Sequence, residues 1–121
     1  MNRKFSIMLG LLVIFIVCSA AYALTDSELT ISSPDTLKNG DGFNLTLKGV
    51  DGTPIANEIV NITVTDAIGQ TNNITAKTDG NGFSSLLIQN VNPGDYNFNC
   101  TFHGNDKFGP ASADQNLTIE P

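Results

Sequence analysis

Beyond its first two dozen residues the chain alternates. Phe43–Asn–Leu–Thr–Leu47, Ile59–Val–Asn–Ile–Thr–Val–Thr65 and Tyr96–Asn–Phe–Asn–Cys–Thr–Phe102 each set an apolar residue against a polar one with period two. That is the pattern of a strand with one dry face and one wet face. The same reading predicts shorter strands at Leu29–Ile31, Asn73–Ala76 and Gln115–Glu120, and one at Phe83–Ile88 that is too evenly apolar to phase. No stretch after residue 24 carries a helical period. Between the runs lie KNGDG, VDGTP, DAIG, TDGNG, NPGD and GNDKFGP, where Gly and Asn supply positive φ and Pro ends pairing. About seven short strands, each with one apolar face, predict an all-β domain of two antiparallel sheets packed face to face. In Val91–Tyr96 the pattern predicts the bend into the sixth strand, with the Tyr96 hydroxyl either tied back to nearby backbone or its ring simply in the core.

The N-terminus reads differently. MNRK is basic, FSIMLGLLVIFIV carries no charge, and CSAAYA ends in an Ala-x-Ala stop. This predicts a signal peptide over residues 1–23, helical, cleaved after Ala23, and a single domain over 24–121. The alternative is an uncleaved membrane anchor, since Phe5 to Leu24 is long enough to just span a bilayer. Val17 is bulky where lipid attachment at Cys18 would want a small residue. Either route puts the domain at the cell surface or in the extracellular space.

Removing the signal leaves four lysines, no arginine and twelve acids, a net charge of about −8. Such a surface repels phosphate backbones, so nucleic acid is excluded as a partner, and a membrane is one only if the N-terminal segment stays. Cys100 is then the sole cysteine, and an intrachain disulfide is impossible.

Cys100 followed by His103 on an aromatic strand invites comparison with a blue copper loop. That site needs two imidazoles and a thiolate, and the chain has one His, with both Met residues inside the signal. Zinc fails on the same count. An offset of three places Cys100 and His103 on opposite faces of a strand, which spoils a nucleophile–base pair. Asp79–Gly–Asn–Gly82 looks like half a calcium loop, but Phe83 to Gln89 supplies no closing acid, and turn formation explains it better. No acid, base and pocket come together, so the reading is a protein without enzymatic activity, metal or cofactor.

Five Asn-x-Thr sequons occur, at Asn44, Asn61, Asn73, Asn99 and Asn116. In each, Asn and Thr share the polar face and the middle residue points inward. They are candidate N-glycosylation sites, although Asn and Thr also serve as plain solubilising and strand-forming residues there.

Four local motifs, in order, carry a resemblance: Gly52–Thr–Pro54, Thr78–Asp–Gly–Asn–Gly82, Pro93–Gly–Asp–Tyr96 and Gly104–Asn–Asp–Lys–Phe108. Together with their surroundings they cover about two thirds of the mature chain, which resembles the Ig-like repeats of adhesin-like surface proteins of methanogenic archaea. The likeness implies an Ig-like β-sandwich used for cell-surface adhesion or interaction, with an unknown surface protein or glycan as partner. Two departures stand out: a single unit instead of an array, and no wall-binding region. Collagen-adhesin B-type domains resemble the chain more loosely. Cys100 stands where such domains tend to carry the acid that assists a Lys–Asn cross-link, and Lys48 falls in the outward phase, so no such bond is expected. Phe108 is the candidate contact residue, with Phe83 a second if its phase is outward. A glycosylated spacer without a ligand and a carbohydrate-binding module are the other readings, the last weakened by the absence of Trp. Mass spectrometry of protein from its native source should find Leu24 as the first residue; a mature chain still carrying Met1–Ala23 would contradict the cleavage.

Overall fold

The computed structural model describes residues 23–121, all of it strand, turn and loop. Among these residues no helix is long and apolar enough to cross a membrane. The expected signal segment, helix included, lies outside the described residues apart from Ala23.

Among the described residues eight strands form: β1 (Ser27–Ile31), β2 (Thr36–Lys38), β3 (Gly42–Gly49), β4 (Ile59–Asp66), β5 (Thr71–Lys77), β6 (Phe83–Leu87), β7 (Gly94–Phe102) and β8 (Ala111–Glu120). One sheet has three strands in the order β1-β3-β6, the other five in the order β2-β8-β7-β4-β5. All pairings are antiparallel except that of β2 with β8.

Alternation sets which faces meet. Phe43, Leu45 and Leu47 of β3 point into the gap, as do Val60 and Ile62 of β4, Phe98, Cys100 and Phe102 of β7, and Leu117 and Ile119 of β8. Phe43 and Phe98 meet across it with ring centroids 4.7 Å apart at a tilt of 45°. Such an offset aromatic pair contributes about 0.5–1.5 kcal/mol beyond the area it buries. The middle residues of the sequons, Leu45, Ile62, Ile74, Cys100 and Leu117, all face this interior, as the phase predicts.

The turns hold the sheets at their ends. Asp79 Oδ1 accepts the backbone N–H groups of Asn81 and Phe83, so the TDGNG carboxylate closes its own turn. Gly82 ends that turn at φ +75°, so close to β3 that a Cβ would overlap the Leu47 carbonyl oxygen. Only glycine fits there. Thr78 is buried beside it; its hydroxyl donates to Ile55 O and accepts from Glu58 N–H. The Tyr96 hydroxyl donates to Asn92 O at 2.6 Å, tying the bend before β7 to its own strand.

Three details differ from the sequence pattern. The strand count is eight, because β2 is only three residues long with Leu37 its single inward side chain, too short for alternation to register. It is also parallel to β8, so the sheets are not purely antiparallel. β8 begins at Ala111, four residues early, because half-buried Ala111 and Ala113 give little contrast to their polar neighbours. β6 resolves with Ser84 buried and Phe83 outward, the reverse of what size alone suggests.

Truncating Phe43 to Ala should lower unfolding stability by about 3–5 kcal/mol, and Phe83 to Ala by less than about 1 kcal/mol, in urea titrations. Equal effects would mean the interior has been misplaced.

Candidate interaction surfaces

The cysteine and histidine that suggest metal chemistry are kept apart. Cys100 is fully buried, opposite Ile62 on β4 and Ala113 on β8. His103 is exposed in the loop after β7. Burial, and to a smaller extent the nearby Asp114 carboxylate, together push the Cys100 thiol from its ordinary 9.0 up to about 11. A thiol held protonated in this way is a small hydrophobe, not a nucleophile. Among the described residues no group of three or more His, Cys, Asp or Glu side chains is placed to hold a metal ion.

Phe108 is half-buried. Its ring packs against the core and lies so near Gly49 that a Cβ there would come within 2.7 Å of Cε1. Its loop is held by Asn105, whose Oδ1 accepts the N–H groups of Lys107 and Phe108 and whose Nδ2 donates to Glu58. Phe108 also bridges to Thr25, so the loop fastens the chain's entry to the domain. Its chief task is that of a plug. Phe83 is 38% exposed and Leu87 55%, on the outer face of β6 with Ser85 between them. Lys48 is exposed on the same sheet, beside Glu28 in the register.

The outer face of the five-stranded sheet is a polar ladder. Across it run Asn116, Asn97, Thr65 and Thr71, then Asp114, Asn99, Thr63 and Asn73, then Ser112, Thr101, Asn61 and Thr75. Neighbours hydrogen-bond sideways, as Asn97 Nδ2 does to Asn116 Oδ1 and Thr63 Oγ1 to Asn73 Oδ1. Four of the five sequon asparagines lie on this face; Asn44 alone is on the three-stranded sheet. Sequence phase shows that all five face outward but not that four share a sheet, because strand order is not written in periodicity.

Among the hollows that indent the described surface, one of about 480 Å³ is lined by Asp35, Asp66 and Asp95 together with Tyr96 and Leu117. Another, of about 600 Å³, opens between β5 and β6 over Val64, Ile74, Leu86 and Val91. It exists because β5 and β6 are the edges of different sheets with no strand between them.

The chain's path is also informative. Thr25 bridges Phe108 at the pole where β7 ends, while Ile119 pairs with Gly94 at the pole where β7 begins. The chain therefore enters at one pole and leaves at the other, about 30 Å away along the ten-residue β8.

No protein-family model and no curated protein matches the chain. Solved structures do match, among them a tetra-tandem repeat in the extending region of a large adhesion protein, with a TM-score of 0.52 and 23% identity. The match covers 79% of this chain and 24% of that one, so the chain spans about a quarter of its neighbour. At that identity the likeness is one of fold. That neighbour is itself a tandem repeat.

The raised pKa of Cys100 makes the stability of the fold depend on pH. Between pH 9.0 and about 11 the unfolded chain releases the thiol proton while the folded chain keeps it. Its contribution to stability is thus complete below pH 9 and lost as pH climbs through that window. The urea midpoint of the natural protein should fall toward that of Cys100→Ala over this range; a gap that widens would contradict the burial.

Proposed function

We propose that the chain is an exported, non-enzymatic Ig-like module of a cell-surface adhesion system. The observation that carries this reading is the pole-to-pole path through a two-sheet unit whose fold is shared with a repeat from an adhesion protein's extending region. A domain built this way adds its full strand length to whatever it is joined to. The N-terminal Met1–Ala23 pattern supports export, and the acidic surface, with twelve Asp and Glu, suits a soluble and mutually repelling coat.

Contact with a partner protein or glycan would use the free flank of β6, through backbone pairing with the exposed Phe83 and Leu87 as apolar anchors. A second reading, a spacer without a ligand, is favoured by the polar ladder, which offers no apolar platform. A carbohydrate-binding role finds less support, since the chain has no Trp to stack on a sugar.

Antibody raised to the domain should label intact cells, and external protease should remove that label. Purified protein titrated onto whole cells should show saturable binding if it recognises a ligand, whereas a flat titration on every surface selects the spacer. Confinement of the label to permeabilised cells would overturn both.

A further inference from the structure

The five sequons share a phase but not an environment. Asn44–Thr46 lies on β3 with β1 on one flank and β6 on the other. Asn61–Thr63 lies on β4 between β5 and β7, and Asn99–Thr101 on β7 between β4 and β8. Asn116–Thr118 pairs with β7, and its Thr118 is held from the far side as well, donating its N–H to Asp35 O at 2.8 Å. The Thr118 hydroxyl is also engaged, donating to Asp95 Oδ1 at 2.9 Å.

Asn73–Thr75 is the exception. β5 pairs with β4 alone, so the backbone of all three residues has an open flank. Asn73 and Thr75 are both exposed. Asn73 Oδ1 accepts a hydrogen bond from Thr63 Oγ1 at 3.0 Å, a contact that uses the amide oxygen and not the amide nitrogen.

Accessibility of the tripeptide backbone decides what a transferase can do. The enzyme has to seat all three residues in its own cleft, with the Asn nitrogen at the donor carbon and the Thr hydroxyl recognised beside it. A strand flanked on both sides by hydrogen-bonded neighbours about 4.8 Å away has no room for this until a sheet opens. Central strands open only with much of the fold, whereas an edge strand opens locally.

We propose that Asn73 is the position at which the folded domain accepts an N-linked glycan, and that Asn44, Asn61, Asn99 and Asn116 accept one only before the sheets close. In the transfer, Asn73 Nδ2 bonds to the anomeric carbon of a glycan carried on a polyprenyl diphosphate. The carbon–oxygen bond to the diphosphate breaks, the diphosphate leaves with the electron pair, and one amide proton passes to a base of the transferase. A glycan so placed covers the longer free edge of the five-stranded sheet, where unpaired backbone groups would otherwise recruit a second strand. The biological setting rests on the export proposed above; the chemistry does not.

The test uses the full chain purified without glycans, and a transferase with its lipid-linked donor that modifies synthetic peptides of all five sequons. Site-resolved mass spectrometry reads occupancy while circular dichroism follows the fold. In the folded chain Asn73 should fill at least about a hundredfold faster than each other site. Asn73→Gln and, separately, Thr75→Ala should each abolish most of the transfer. Equal filling of Asn61 or Asn99, or an empty Asn73 in the folded chain, would overturn the proposal. Because the assay is carried out in solution, a chain that proves not to be exported would sink the proposed function and leave this result standing.

Discussion

The contact between two sheets through a dry gap is what the rest of this domain depends on. Every strand contributes by the same device, sending alternate residues inward, and the tilted Phe43–Phe98 pair sits where β3 of one sheet meets β7 of the other. Among the described residues the one cysteine, Cys100, is buried and free, so no disulfide there shares the load. The interior has to outweigh the conformational entropy of the chain without one. That explains why Cys100 is packed as a hydrophobe, and why a position that looks redox-active in sequence is inert in the fold.

The polar groups that the sheets do enclose are few and fully engaged. Thr78 serves three backbone groups around the turn before β6, and Ser33 accepts from Asn44 N–H while donating to Gly42 O. Among the described residues no buried side-chain nitrogen or oxygen lacks a partner. An unpaired group there would cost about as much as a good hydrophobic contact contributes, so this saturation is a condition of stability for a domain this small. The surface follows a different rule. Asn and Thr dominate the outer face of the five-stranded sheet because they tolerate extended backbone, stay neutral and hydrogen-bond sideways, which keeps a wide face wet without concentrating charge.

Much of the fold is legible in the sequence because burial and alternation are the same fact seen twice. Phe98, Cys100 and Phe102 announce their face by spacing alone, and Asp79–Gly82 announces a turn by its chemistry. Strand order is not legible in this way. Nothing in Thr71–Lys77 says that β5 is an edge, or that β5 and β6 leave a cleft between sheets, since those depend on which strands pair across long loops. β2 escapes because three residues cannot show a period. Phe83 escapes because β6 is apolar on both faces, and only the packing of Ser84 against its neighbours selects one. Function is less legible still: the resemblance to adhesin-like repeats rests on turns, which specify a fold, and turns do not name a ligand.

Residue-resolved amide hydrogen exchange on the folded domain tests the two-sheet interior most directly. The slowest amides should be those of β3, β4 and β7, at Leu45, Ile62 and Cys100 and their neighbours, whereas the amides on the open flank of β5 exchange orders of magnitude faster. If β4 and β7 exchange as quickly as that flank, no closed interior holds the sheets together, and the account fails.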